Sequence, residues 1–245
     1  MQIGIDEISF YVPNTYLPQE DLAQARGIDP NKFLKGLGQV AMSVPTPDED
    51  IITMAANAAD QLSKESLADV SWVLFATESG TDQSKAAGLY LQSLLDLPDC
   101  VRVLELKQAC YSATGGLQLA KALIAQDPSK KVLLIAADIA RYGLNTTGES
   151  SQGAGAIAMI ISQNPRVLAL DDASGVYTEE VMDFWRPNYR TEALVDGKFS
   201  CDVYLSCLQK SYARYVRDFK EKNNTDIKLD NFEAICFHVP VPKLA

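Results

Sequence analysis

Basic residues and histidine are scarce in this sequence. Its 245 residues include 22 Lys and Arg against 32 Asp and Glu, a formal net charge of -10, and a single histidine. The chain has no run of basic residues to neutralise a phosphate backbone, which argues against a nucleic-acid partner. An acidic balance mainly favours solubility, and it still allows an anionic substrate to be held by a local group of Lys and Arg.

Cysteine is also sparse, and long apolar runs are missing. The five cysteines are odd in number and scattered, so they predict neither a disulfide framework nor a metal site. We therefore expect no metal and a reducing, cytoplasmic setting. The first residues lack a basic segment followed by a long apolar run, and no stretch reaches the length of a membrane span. We expect neither a signal peptide nor contact with a membrane.

Strand-like and helical patterns alternate up to residue 170, and hydrophobic residues make up 47% of the chain, as in globular proteins. The apolar runs at 70–77 and 131–137 ignore strict alternation, which is typical of strands covered on both faces. We expect a layered α/β fold, in which reactive groups collect at the carboxyl ends of the strands. The patterns predict strands at 3–11, 70–77, 101–106, 131–137, 152–161 and 167–170, and helices at 48–62, 84–95 and from 112 onward.

The character of the sequence changes after residue 170. Residues 171–197 predict a long excursion from the core, and residues 202–219 predict a helix with one aromatic stripe. Apolar side chains at helical spacing usually mark a buried face, so core packing is the simplest explanation of that stripe. A last strand is expected at 232–237, with His238 directly at its end.

The segment 107–116, Lys-Gln-Ala-Cys-Tyr-Ser-Ala-Thr-Gly-Gly, organises the rest of the chain. It places Cys110 where a strand stops and a helix starts. The first N–H groups of a helix carry partial positive charge, so a thiol there ionises more easily, and the thiolate is the attacking species. The small residues around Cys110 leave room for a bulky thioester. A lone cysteine between Ala and Tyr is, however, also typical of a small buried hydrophobe.

Three further residues favour a catalytic role for Cys110 over a structural one. Glu78 and Asp138 are predicted to follow strands, and His238 is the one histidine of the chain. Alone, Glu78 is typical of an exposed acid, and a histidine after a strand is as readily structural as catalytic. Together a thiol, a carboxylate and an imidazole suit acyl transfer followed by carbon–carbon bond formation. The carboxylate can remove a proton from the carbon next to a thioester. The imidazole can protonate or hydrogen-bond the oxygen on which negative charge develops.

The motifs around these residues resemble those of the bacterial hydroxymethylglutaryl-CoA synthase family. The resemblance rests on Phe-Ala-Thr-Glu-Ser-Gly-Thr-Asp around Glu78, Glu-Leu-Lys-Gln-Ala-Cys-Tyr-Ser-Ala-Thr around Cys110 and Cys-Phe-His-Val-Pro around His238. Ala-Asp-Ile-Ala-Arg-Tyr-Gly at 137–143, Gln-Gly-Ala-Gly-Ala at 152–156 and Asp-Phe-Trp-Arg-Pro at 183–187 also match. The similarity covers essentially the whole chain in order.

The resemblance implies a thiolase-type fold, a homodimer and a condensation in the mevalonate pathway. Its substrates would be acetyl-CoA and acetoacetyl-CoA, with no separate cofactor. Acetyl-CoA would acylate Cys110, Glu78 would deprotonate the acetyl methyl group, and His238 would protonate the new alkoxide. The remaining site residues implied by the family are Tyr111, Asp138, Tyr142, Asp183, Phe184 and Pro187.

Members of this family are longer than 245 residues. The resemblance therefore implies an N-terminal thiolase-type half at 1–165, carrying Glu78 and Cys110. Residues 166–245 would form the beginning of a C-terminal half, carrying His238. We expect weak or absent turnover from this piece alone.

Three alternatives stay open from the sequence. The chain could be an initiating ketoacyl synthase, although those enzymes do not place a Glu at position 78. It could be a β-branching enzyme of polyketide pathways, which shares the Glu and prefers substrates bound to carrier proteins. It could also be an inactive scaffold that dimerises without chemistry.

Overall fold

A computed structural model of the protein describes residues 1–240 and 242. Two compact units are distinguished, and neither is a continuous stretch of chain. The first comprises Met1–Tyr16, Ser43–Ala140 and Gly153–Leu170. The second comprises Leu17–Met42, Arg141–Gln152 and the described residues from Asp171 onward. Within residues 1–240 and 242, every helix is too short or too polar to span a membrane.

The strands of the described residues have 2 to 11 residues, and the α-helices have 5 to 27. The strands are Ile3–Tyr11 (β1), Tyr16–Pro18 (β2), Ala41–Ser43 (β3), Val70–Ala76 (β4), Arg102–Leu106 (β5), Lys131–Ala140 (β6), Gly153–Gln163 (β7), Leu168–Ala169 (β8), Phe184–Trp185 (β9) and Leu194–Val195 (β10). The α-helices are Gln19–Arg26 (α1), Ile51–Ala59 (α2), Lys64–Ala68 (α3), Gly88–Leu94 (α4), Ser112–Gln126 (α5) and Gly197–Asn223 (α6). A π-helical segment spans Lys32–Leu37.

The first unit is built on one six-stranded sheet in the order β5-β4-β6-β7-β1-β8. Strand β4 runs parallel to β5 and to β6, pairing Ala76 with Leu106 on one side and with Ala136 on the other. Strands β7, β1 and β8 add antiparallel pairs to this parallel core. The strands predicted up to residue 170 are therefore confirmed, with ends that shift by a few residues.

Helices cover both faces of this sheet, and each face has its own apolar core. On one face the side chains of α2 and α4 pack with Val73 and Phe75 of β4. On the other face Ala120 and Ile124 of α5 pack with Leu74. Because Val73, Leu74 and Phe75 enter opposite cores in turn, this part of β4 is apolar on both of its faces. The layered α/β prediction is confirmed for this unit.

The second unit departs further from the predictions. The long helix is real but begins earlier than expected, because the side chain of Asp196 caps it by accepting the N–H of Phe199 at 3.1 Å. None of its residues is buried, so core burial does not explain the aromatic stripe. Tyr215 instead forms ring contacts with Phe219 and Phe232, at centroid distances of 5.9 and 6.0 Å.

Two other predictions were wrong in detail. Residues 232–237 form no strand, so His238 does not lie at the end of one. Asp138 lies inside β6 rather than after it, because β7 pairs with β6 as far as Ala140. It nevertheless lies beyond Ala136, the last residue of β6 that pairs with β4.

Candidate active site

Cys110 lies in the turn that joins β5 to α5, as the sequence predicts. A short 3-10 turn, Ala109–Tyr111, connects the strand to the helix. Ala109 adopts a left-handed backbone conformation with φ of 42°, which is uncommon for a residue with a side chain. Strained backbone of this kind clusters at active sites, where it helps to fix the direction of a functional side chain. Cys110 is exposed, so the interpretation as a buried hydrophobe is wrong.

Ser112 fixes the shape of this turn. Its hydroxyl accepts the N–H of Gln108 at 2.6 Å and donates to the carbonyl of Ala109 at 3.0 Å. The same serine is the first residue of α5, and it is buried. The turn that carries the thiol is thus tied to the start of a fifteen-residue helix. The positive end of that helix favours an anion nearby, including a thiolate. Tyr111, beside Cys110, is 49% exposed.

Glu78 lies in the loop that follows β4, and Asp138 holds that loop in place. The Oδ1 atom of Asp138 accepts the N–H of Glu78 at 2.8 Å and the N–H of Ser79 at 3.0 Å. It also accepts the hydroxyl of Thr77 at 2.8 Å. The hydroxyl of Ser79 and the carbonyl of Ile139 add a further hydrogen bond of 3.1 Å. Three consecutive residues, with Glu78 in the middle, are therefore anchored to β6.

The environment of Asp138 opposes its ionisation. Burial raises the pKa of this carboxyl group above its ordinary value, and the hydrogen bonds from Glu78, Thr77 and Ser79 lower it only in part. Since Oδ1 serves as the acceptor for all three residues, the carboxyl group acts as a structural anchor. Its position within the sheet is better suited to orienting Glu78 than to exchanging protons with solvent.

Glu78, Cys110 and Asp138 all lie near the carboxyl ends of three neighbouring parallel strands of the same sheet. Ala76 pairs with both Leu106 and Ala136, and each site residue follows its own member of this row. Glu78 and Asp138 come two residues later and Cys110 four residues later. The N–H of Thr77 also bonds to the carbonyl of Leu106 at 3.3 Å, which links the two loops at their start. The carboxyl ends of parallel strands are where α/β sheets gather reactive groups.

His238 belongs to the second unit. It is exposed, and its backbone carbonyl accepts the hydroxyl of Tyr204, on α6, at 2.9 Å. Among residues 1–240 and 242 no strand includes His238, and the hydrogen bond from Tyr204 ties its backbone to α6. The proximity of its imidazole to the Cys110 thiol and the Glu78 carboxylate stays a prediction.

The other residues implied by the resemblance are also in the second unit, apart from Tyr111 and Asp138. Phe184 lies on β9 and contacts the ring of Tyr142 edge-on, with centroids 6.4 Å apart. Ser200, on α6, donates to Oδ2 of Asp183 at 3.0 Å. The carbonyl of Pro187 accepts the N–H of Arg190 at 2.9 Å. The structure thus brings Tyr142 and Phe184 together and joins Asp183 to α6.

Sequence reasoning missed two polar residues next to the predicted site. Ser112 is one of the small residues around Cys110, and its hydroxyl also closes the Cys110 turn. Glu105 belongs to the strand predicted at 101–106, and its carboxylate accepts the backbone N–H of Ala87. The available signal was an acid within a predicted strand, five residues before the cysteine. No group of His, Cys, Asp and Glu side chains in residues 1–240 and 242 is arranged to hold a metal ion.

Comparison with known proteins covers the whole chain. Residues 1–166 match the family model described as hydroxymethylglutaryl-coenzyme A synthase N terminal, and residues 168–245 match the corresponding C-terminal model. The chain is 44% identical to the hydroxymethylglutaryl-CoA synthase of Enterococcus faecalis, over 100% of this chain and 62% of that protein. It is 33% identical to PksG of Bacillus subtilis, a polyketide biosynthesis 3-hydroxy-3-methylglutaryl-ACP synthase, over 97% of this chain and 59% of that protein.

A solved structure agrees with these sequence matches. The fold superimposes with a TM-score of 0.94 on a crystal structure of HMG-CoA synthase complexed with CoA, at 44% identity, covering 100% of this chain and 62% of that one. The layered, thiolase-like α/β architecture expected from the sequence is therefore confirmed. The chain spans about 62% of the length of the Enterococcus faecalis relative.

Proposed function

The chain belongs to the hydroxymethylglutaryl-CoA synthase family, and from this premise we propose the reaction that its residues serve. Acetyl-CoA condenses with acetoacetyl-CoA and water to give 3-hydroxy-3-methylglutaryl-CoA and CoA, in the mevalonate pathway. The observation that carries the proposal is the placement of an exposed thiol, Cys110, at the sheet edge that also carries Glu78. We place the protein in the cytoplasm.

The first step is acyl transfer. The Cys110 thiolate attacks the acetyl carbonyl, the bond to the CoA sulfur breaks, and CoA leaves with a proton from the medium. The acetyl group is then a thioester of the protein, and its methyl hydrogens are acidified by the neighbouring carbonyl. The strained Ala109 and the Ser112 hydrogen bonds support this step because they hold the thiol turn in one conformation.

The second step forms the carbon–carbon bond. Glu78 removes a methyl proton, and the resulting enolate attacks the ketone carbon of acetoacetyl-CoA. His238 gives a proton to the alkoxide that forms. Water then hydrolyses the thioester and restores the Cys110 thiol. Asp138 supports the role of Glu78 through its hold on residues 77–79.

The remaining residues are proposed as the walls of the substrate site. Tyr111 borders the nucleophile, and Asp183, Phe184, Pro187 and Tyr142 shape the place of the second substrate. The ring contact of Tyr142 with Phe184 supports a shared role for these two. We also propose a division into an N-terminal half at 1–165 and the beginning of a C-terminal half at 166–245, which the separate matches of the two family models support.

We further propose that the protein forms a homodimer. Strand β5 is at one end of the six-stranded sheet, and the described residues place no strand on its outer side. Leu104, in the middle of β5, is 45% exposed. An exposed strand edge with apolar side chains is a surface that a second copy can cover.

The acyl donor is the property that separates the two kinds of relative. The higher identity to a CoA-dependent synthase favours acetyl-CoA, at 44% against 33% for the ACP synthase. The test offers labelled acetyl-CoA and labelled acetyl carrier protein to the purified chain and measures label on protein. Faster labelling by acetyl-CoA supports the proposal, whereas faster labelling by the carrier protein assigns the chain to β-branching. Labelling by neither donor leaves the inactive scaffold.

A further inference from the structure

Glu105 contacts the loop that carries Glu78, at the opposite end from Asp138. Strand β5 pairs Glu105 with Phe75 of β4. The Oε2 atom of Glu105 accepts the N–H of Ala87 at 2.7 Å. Ala87 is the residue just before α4, and it is buried. The loop that leaves β4 at residue 77 therefore ends on a carboxylate from the neighbouring strand.

The other oxygen of the same carboxylate faces the beginning of the loop. A Cβ atom at Gly80 would lie 3.1 Å from Oε1 of Glu105, which is tighter than most real contacts of this kind. The backbone of residue 80 thus passes close to the carboxylate, and a side chain there would push it away. Gly80 is two residues after Glu78. Glu105 consequently binds the far end of the loop and approaches its backbone near Glu78.

Two carboxylates hold this loop from opposite sides of β4. Strands β5 and β6 flank β4 in the sheet. Asp138, from β6, binds residues 77–79, and Glu105, from β5, binds Ala87 and approaches Gly80. Each of these hydrogen bonds has to break before the loop can move, so such a pair limits the movement of the segment between them.

From this arrangement we propose that Glu105 is a positioning residue for Glu78. The proposal rests on the role of Glu78 as the base in the proposed function. Strand β5 continues directly into the turn of Cys110, so one strand places the thiol and also secures the loop of the base. A base has to lie within hydrogen-bond reach of the proton it removes, and small displacements of a reacting group strongly lower the rate.

Acetyl transfer and proton removal report separately on Cys110 and Glu78. Acetyl transfer from acetyl-CoA depends on Cys110. In acetyl-Cys110, Glu78 takes one methyl proton, and the electron pair of that C–H bond forms the enolate. In heavy water a deuteron returns to the carbon, which replaces C–H by C–D with no change in oxidation state. Deuterium in the acetyl group therefore measures how well Glu78 is placed.

The experiment compares the wild type with Glu105→Ala, Glu105→Gln and Glu65→Ala, the last at an exposed glutamate of α3. Backbone amide exchange over residues 78–88 is measured by mass spectrometry for each protein. Acetylation by acetyl-CoA is then followed by intact mass, and deuterium in the bound acetyl group is measured after the amides have exchanged back in light water. Amide exchange needs no activity, so it tests the proposal even if the proposed function fails.

Glu105→Ala is expected to raise amide exchange at Ala87 about 10-fold or more, the loss of one hydrogen bond to a charged acceptor. It is expected to slow deuterium incorporation by on the order of 10-fold at an unchanged rate of acetylation. Glu105→Gln keeps an oxygen acceptor and restores most of both effects, and Glu65→Ala changes neither. Unchanged amide exchange in Glu105→Ala overturns the proposal. Equal losses of acetylation and deuterium incorporation also overturn it, because they indicate a general structural defect.

A wild type that is never acetylated contradicts the proposed function alone. In that case the amide exchange decides about Glu105. Protection that is lost in Glu105→Ala and recovered in Glu105→Gln supports its hold on the loop, and protection that is equal in all variants overturns it.

Discussion

The N–H group of Glu78 donates to Oδ1 of Asp138 at 2.8 Å, and this bond ties the proposed base to the neighbouring strand. The same oxygen also accepts from Thr77 and Ser79. Asp138 is thus the acceptor for three consecutive residues around the base. Its removal leaves several partly buried donors without an acceptor at once, which makes it the most informative position for a first substitution.

Asp138→Ala is expected to destabilise the protein by about 1–3 kcal/mol, the usual cost of leaving buried donors unsatisfied. The loss is expected to localise, so that amides 77–79 exchange faster while the rest of the sheet stays protected. Urea unfolding and amide exchange measure the two effects. Asp138→Asn keeps one carbonyl oxygen and serves as the matched variant. Equal amide exchange at 77–79 in wild type and Asp138→Ala would contradict the anchoring role.

Glu7 makes stability depend on pH. Burial raises the pKa of this carboxyl group, but hydrogen bonds from Ser63, Ser66 and Arg166 outweigh burial and bring the pKa from 4.5 to about 2. A folded pKa below the unfolded one means that the stabilisation is present above pH 4.5 and is lost as the pH falls toward 2.

Glu7→Gln removes this contribution, and we expect a loss of about 1 kcal/mol at neutral pH, since solvent screens part of the interaction. The difference between wild type and Glu7→Gln in urea unfolding should shrink as the pH falls below 4.5. Glu65→Gln, at an exposed position of α3, controls for the substitution itself. A difference that stays constant from neutral pH to pH 3 would contradict the assigned role of Glu7.

Arg26 and Glu149 form a bidentate ion pair in the second unit. Nε and Nη2 of Arg26 donate to the two carboxylate oxygens at 2.9 and 2.6 Å, and the Glu149 side chain is 6% exposed. Arg26→Ala removes this cation and leaves the Glu149 carboxylate buried. A marked fall in melting temperature is therefore expected. Lys64→Ala removes an exposed pair with Asp60 and is expected to change the melting temperature little. Similar shifts for the two variants would refute this ranking.

Gly4 is a point of close approach between β1 and β8. A Cβ atom there would lie 1.9 Å from the backbone carbonyl oxygen of Leu168, so Gly4→Ala has to displace the strand. We expect a loss of about 1–3 kcal/mol in urea unfolding, as for overpacked cores. Gly197→Ala is the control, because nothing lies within 4 Å of a Cβ there and alanine suits the start of α6. A neutral Gly4→Ala would mean that β8 does not hold its place in the sheet.

The sequence predicts the first unit well because its signals agree with one another. Residues 70–76 are apolar at every core position, and burial in two cores requires that pattern. The thiol turn at Cys110 is also predicted correctly, because the change from strand to helical spacing is local. The fold around it follows from such patterns.

Other features depend on contacts that no local pattern encodes. The apolar residues at 232–237 have strand character, yet no strand forms among the described residues because nothing pairs with them. The left-handed conformation of Ala109 has no composition signal, since Gly or Asn is the usual occupant. The role of Glu105 depends on where Ala87 lies, and that position follows from the tertiary structure.

The central claim is that Cys110 is an acyl-accepting nucleophile, and intact-mass measurement after incubation with acetyl-CoA tests it most directly. The wild type is expected to gain the mass of one acetyl group, sensitive to hydroxylamine as a thioester is. Cys110→Ala is expected to gain none, while Cys100→Ala, at another exposed cysteine, gains as much as the wild type. An unmodified wild type, or acetylation that persists in Cys110→Ala, would contradict the account.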